Sequence, residues 1–276
     1  MRLTTKIVLG IIISLFLLSF GAIIIISFID EKFKENSNLY TPDISQKNII
    51  PVNVEPFQTV WIDQVQIQDA LNVFLRGTIR LKPVINPDEK NKLFLPEELL
   101  RFTDIISSND TLIIRLKVDE LYEQYVTSRV PKHLFCVIEG FNFFIHTNTV
   151  DVISDMVGMQ VDVRNIKTDK IKIQANSAIA IDSCQTNLIA PRMRNSPYQF
   201  LLTNSQVKEL NIDLDQMGDT WTIKNCDIEV ENLTGSNKHS VSLPKGEANI
   251  MHWMPKNKDA QLTVTLYGDT ASVEFP

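Results

Sequence analysis

IAIDSCQTN (179–187) is the stretch whose reading decides the fold. Ile179 and Ile181 alternate with Ala180 and Asp182, the period of a half-buried strand. The Asp182-Ser183-Cys184 run that follows is either a reactive centre or the corner at which a strand ends. A nucleophilic cysteine needs a base or a positive field to ionise, and His133, His146, His239 and His252 all lie elsewhere in the chain. The pattern also recurs. Ile181-Asp182-Ser183-Cys184, Leu202-Thr203-Asn204-Ser205 and Ile223-Lys224-Asn225-Cys226 each read large aliphatic, two polar residues, then Ser or Cys, at steps of 21 residues. Val163-Arg164-Asn165-Ile166 precedes them by 18, and Leu243-Pro244-Lys245-Gly246 follows by 20. A catalytic triplet has no reason to repeat, whereas a corner does.

A second strand-like piece follows each corner: LIA at 188–190, LNIDL at 210–214 and IEV at 228–230. Strands and polar corners at a period near 20 residues predict a β-solenoid, whose coils stack on one another; a β-sandwich is the alternative. The register carries an expectation for the thiols. Cys184 and Cys226 fall at equivalent places two coils apart, about 9.6 Å at ~4.8 Å per stacked strand. That exceeds the roughly 7 Å Cα separation a disulfide tolerates. They are expected to stay unpaired, with Ser205 between them in a column of small residues. Together with Cys136 they show no Cys/His spacing suited to zinc.

Outward from this core the chain divides into four parts. Residues 151–276 are read as the solenoid, short strand-like pieces without an amphipathic helix. Residues 57–150 are read as a mixed section of strands (60–67, 72–84, 110–118) with a short helix beginning after Pro96 and another at DELYEQYV (119–126). Residues 30–56 are polar and proline-bearing, a tether. Ile7 to Ile29 is 23 residues without a charge, about 34 Å as a helix, enough to cross a bilayer core. It exceeds a signal-peptide core, and FIDEKFKEN after it lacks small residues at cleavage positions, so an uncleaved anchor is expected at 1–29.

Arg2 and Lys6 before the run favour a cytoplasmic N-terminus, which puts the following domain across the membrane, periplasmic or extracellular. The overall net charge of −6, with no Lys/Arg cluster, excludes nucleic acid as a main partner. No phosphate-binding glycine loop, G-x-S-x-G or H-E-x-x-H occurs, and no cofactor is expected.

Candidate ligand-face residues are few. Asp213 and Asp215 are two apart in a strand-like piece, so they share a face where carboxylates bind calcium or act as an acid/base pair, or simply meet solvent. Tyr198, Trp221 and Trp253 offer rings for stacking on sugars, or for packing the core.

The PFQTVWIDQVQIQ opening (56–68), the DTLIIRLKV strand (110–118), the ladder of short strands and YGDT (267–270) resemble the bacterial GIN-type adhesin-head domain family. That resemblance spans about 57–276. The family's corners are typically glycine-rich, whereas here they read D-S-C, T-N-S and K-N-C. It implies a stacked-strand module of the cell envelope with an adhesive or scaffolding role and no catalytic residues to carry over.

The expectation is therefore a non-catalytic scaffold or adhesin-like protein, anchored in the inner membrane through residues 7–29, that meets an envelope protein or polysaccharide. Two alternatives belong to other classes. One is a carbohydrate-active β-helix enzyme, which requires carboxylates converging beside an aromatic in a cleft. The other is a subunit of a membrane-bound complex, for which Gly10-x-x-x-Ser14 is a small-xxx-small match.

Overall fold

Four of the predicted corners turn on a residue with left-handed backbone: Asn165 (φ 57°), Ser183 (φ 55°), Asn204 (φ 50°) and Asn225 (φ 55°). Asparagine tolerates that region better than most side chains, which accounts for its recurrence at this place in the repeat. The structure is a computed structural model and describes residues 48–64, 73–117, 136–155, 158–193, 199–217, 221–244 and 248–267. The apolar run at 7–29, the helix expected at 119–126 and Tyr198 lie outside the described residues. Among the described residues no helix is long and apolar enough to cross a membrane.

Among the described residues nineteen strands follow one another: β1 (Ile49–Asn53), β2 (Thr59–Gln64), β3 (Val73–Lys82), β4 (Lys92–Pro96), β5 (Thr103–Ser108), β6 (Thr111–Leu116) and β7 (Cys136–His146). Then come β8 (Val150–Ser154), β9 (Met159–Arg164), β10 (Lys167–Ala175), β11 (Ile179–Asp182), β12 (Gln185–Met193) and β13 (Phe200–Thr203). The last are β14 (Gln206–Asp213), β15 (Trp221–Lys224), β16 (Asp227–Gly235), β17 (Lys238–Pro244), β18 (Ile250–Pro255) and β19 (Gln261–Tyr267).

They form an eight-stranded sheet, β1-β4-β7-β3-β9-β11-β13-β15, and a nine-stranded sheet, β18-β16-β14-β12-β10-β8-β2-β6-β5. Between β7 and β15, and between β6 and β18, all neighbours are parallel. That is the winding of a solenoid, and it excludes the antiparallel sandwich.

The register follows the repeat. Ile181 pairs with Val163, 18 residues back, and with Leu202, 21 ahead, and Leu202 pairs with Ile223. Valine, isoleucine and leucine thus stack in an inward column of Val163, Ile181, Leu202 and Ile223, all buried. The facing sheet contributes Ile171, Ile189 and Leu210, likewise buried. Each such side chain contributes about 1.5–3 kcal/mol by leaving water.

The corners are tied to one another as well as to the core. Backbone bonds run from Asn165 N to Asp182 O, Ser183 N to Thr203 O and Asn204 N to Lys224 O, 3.0 Å each. Outside, Thr203 Oγ1 and Asn204 Nδ2 donate to Asp182 Oδ1 at 2.6 and 2.8 Å, and these bonds hold that carboxyl below its usual range. Inside, Ser205 Oγ accepts from Cys184 N at 3.0 Å and donates to Thr203 O at 2.7 Å. Ser205 therefore separates the two thiols as the register requires, and no disulfide joins Cys184 to Cys226. Burial pushes the Cys184 thiol up, away from the thiolate a nucleophile needs. The opening triplet is a corner.

The short helix expected after Pro96 is present as a single turn, Glu97–Leu100, after which Phe102 is drawn into the core and the chain continues as β5. Two details depart from the sequence reading. A one-turn helix, Leu214–Met217, interrupts the second half where only strands were expected, burying Leu214 and Met217. The corner expected at Leu243 does not stack on Ile223. The link between β16 and β17 is two residues long, against seven between β14 and β15, and β17 pairs in parallel with β19 in a sheet of its own.

The sheets also run through residue 150 without a break. β2 lies between β6 and β8, and β3 between β7 and β9, so the first coil in sequence is the second in space. The chain leaves that coil, builds β4 to β7 on its outer side, and returns to stack β8 and β9 on the other. β1, β4 and β5, all antiparallel, close this end. Packing there demands one glycine. A Cβ on Gly77, at the register shift between β3 and β7, would sit 1.9 Å from the Phe141 carbonyl oxygen.

Candidate functional site

Of the residues singled out as a ligand face, Trp221 and Trp253 are half-buried. Trp221 is in register with Phe200, at the end of the inward column Val161, Ile179, Phe200. Trp253 is in register with Leu233 on the facing sheet, and both rings pack against the core. Trp221 and Trp253 thus lie on different sheets.

Asp213 and Asp215 do come together, though not as neighbours on one strand face. Asp213 ends β14 and Asp215 lies in the helical turn Leu214–Met217. The turn brings both carboxylates to Lys256 Nζ, which donates to Asp213 Oδ1 and, at 2.8 Å, to Asp215 Oδ2. Asp215 Oδ1 also accepts from Ser236 N at 2.9 Å and lies 2.9 Å from His239 Nε2. Burial alone would raise the Asp215 carboxyl. The bonds from Lys256, Ser236 and His239 outweigh it and hold the group well below the carboxylate range. Lys256 is correspondingly raised, its partners overcoming desolvation.

This cluster fills itself. An ammonium occupies the place between the carboxylates where calcium or a substrate proton would go. Its ties run from the helical turn to the Ser236-Asn237 link and the end of β18, with Asn257 Nδ2 on Ser236 O at 2.9 Å. It latches the last coil to the one before it. Among the described residues no group of three or more His, Cys, Asp or Glu is placed to hold a metal ion.

A concave feature of the described residues lies elsewhere, just after the corners. A groove of about 720 Å³ crosses successive strands of the nine-stranded sheet. Asn148 and Thr149 begin it, and the first residues of β10, β12, β14 and β16 continue it as Lys167-Thr168-Asp169, Gln185-Thr186-Asn187, Gln206-Val207-Lys208 and Asp227 with Glu229. Lys167, Gln185, Gln206 and Asp227 form one column by register. At ~4.8 Å per strand its length is about 14 Å.

The groove has a local cause. Pairing passes from Thr168↔Thr186 to Lys170↔Leu188 and from Thr186↔Val207 to Leu188↔Glu209, so the ladder skips Asp169, Asn187 and Lys208. At the bend the Thr186 hydroxyl substitutes for ladder bonds, donating to Leu188 O at 3.2 Å and accepting from Leu188 N. Thr147 does the same with Thr149. Gln185 and Gln206 are exposed and bond to none of the described side chains, and Asn187 Nδ2 donates to Asp169 Oδ1 at 3.2 Å.

None of the sequence-selected face residues lines this groove. Its residues were nevertheless present in the repeat, as KTD, QTN, QVK and DIE directly after each corner. Their common place relative to the corner was the available signal.

No family model matches the chain, and no curated protein matches it. Among solved structures it is similar to a protein of Parabacteroides merdae described as a "putative adhesin". Identity is 10%, the TM-score is 0.36, and the match covers 80% of this chain and 96% of that one.

Proposed function

We propose that the chain is a non-catalytic binding scaffold of a bacterial envelope, adhesin-like, held in the inner membrane by residues 7–29 with its solenoid on the periplasmic or extracellular side. The groove carries the reading: repeated coils present polar side chains in line across several strands, a surface suited to holding an extended partner rather than to transforming a small one. The state of Asp213 and Asp215 supports binding over the carbohydrate-active alternative, since Lys256 and His239 already engage the carboxylates an acid/base pair would need. The anchor rests on the uncharged run and the basic residues before it.

The test has two arms. The full chain should sediment with membranes and remain there after an alkaline wash, and a tagged chain purified in detergent should retain envelope polysaccharide or protein. A chain released as a soluble protein sinks the anchor. A chain that retains neither class of partner sinks the binding role.

A further inference from the structure

We infer that the groove across β10, β12, β14 and β16 is a binding site for an extended, uncharged polysaccharide chain; the inference rests on the binding-scaffold reading. Three features of the groove select this class of ligand. The first is charge. Lys167 and Lys208 are set against Asp169, Asp227 and Glu229, so the lining has no cationic excess to attract a polyanion. The column positions at its centre, Gln185 and Gln206, are amides.

The second is the backbone. Each of β10, β12, β14 and β16 has a partner strand on both sides, so the groove contains no free edge on which an extended peptide adds as a strand. A ligand here meets side chains, not a ladder. The third is the chemistry of those side chains. Each primary amide offers two donors and an acceptor, which matches hydroxyl and acetamido groups that both give and take hydrogen bonds. Gln185 and Gln206 are solvent-facing and one strand spacing apart, ~4.8 Å. A chain lying along the column thus meets the same kind of group at its two central steps, as successive identical sugar units require, with Lys167 and Asp227 at the two ends.

The full-length chain in detergent micelles should bind cellohexaose or chitohexaose in a direct titration more tightly than an oligogalacturonate of equal length or an uncharged nonapeptide. Replacing both glutamines (Gln185→Ala with Gln206→Ala) should weaken that binding at least tenfold, whereas Lys224→Ala on the other sheet should leave it unchanged. Equal binding of the acidic oligosaccharide or the peptide overturns the inference, as does a double variant that binds like the parent. The two readings separate in the membrane pull-down. Envelope material retained equally by parent and double variant removes the groove site and leaves the scaffold role standing. Retention by neither removes both.

Discussion

Ser183 is the one corner residue at positive φ in this column that is not asparagine, the others being Asn165, Asn204 and Asn225. A left-handed backbone costs an ordinary L-residue about 1–2 kcal/mol, and asparagine bears part of that cost more easily. Asn204 and Asn225 also continue a chain of side-chain bonds, Asn225 Nδ2 to Asn204 Oδ1 at 3.4 Å and Asn204 Nδ2 to Asp182. Ser183→Asn is therefore expected to stabilise the fold by about 0.5 kcal/mol, and Ser183→Val, β-branched in the same conformation, to destabilise it by about 1–2 kcal/mol. Thermal unfolding of the pair checks both signs. A destabilised asparagine variant would mean the Ser183 hydroxyl bond to Asp182, at 3.2 Å, matters more than the backbone.

At the scale of elements, the packing of β3 against β7 turns on the absence of one Cβ. At Gly77 the obstructing atoms are the Phe141 carbonyl oxygen and carbon, backbone atoms already fixed in the ladder, so no rotamer change relieves the clash. Gly77→Ala is expected to cost roughly 3 kcal/mol or more, at the upper end for overpacking. Its measured effect should appear as a lowered denaturation midpoint with an unchanged slope. The two residues after β16 show the same principle of length at work. Seven residues between β14 and β15 leave room for a helical turn and a return to register, and Ser236-Asn237 do not. The position of Leu243 in β17 follows from link length, which residue-by-residue matching of corners does not weigh.

For the whole molecule, coils touch mainly their neighbours, so a break at one end need not spread. The Asp213, Asp215, Lys256 and His239 cluster is where the last coil is fastened. Asp215→Asn is expected to free that end: hydrogen exchange should quicken in β17 to β19 and stay slow in β9 to β13. The pH dependence follows from the directions of the shifts. Asp215 is depressed in the folded state, so its contribution is present above about pH 4 and is lost as pH falls toward its folded pKa. Lys256 is raised, so its contribution is present below about pH 10.5 and is lost as pH rises beyond that. Between these limits the parent should show a plateau in the protection of the last coil. The asparagine variant should lack the acid limb.

How far the sequence reached is plain at the corners and at the groove. A 21-residue recurrence of aliphatic, polar, polar and small residues determined the coil, its register and the separation of Cys184 from Cys226, because strand alternation and a left-handed corner are local demands that each coil meets with its own residues. Three things were decided only by tertiary structure. The placement of β2 between β6 and β8, and of β3 between β7 and β9, joins segments distant in the chain, and no local pattern records which coil stacks on which. Core packing was the better reading of Trp221 and Trp253 from the sequence, and which columns they join was set only by strand pairing. The groove follows from a bend shared by four strands, and a bend in a ladder exists only once the strands are paired.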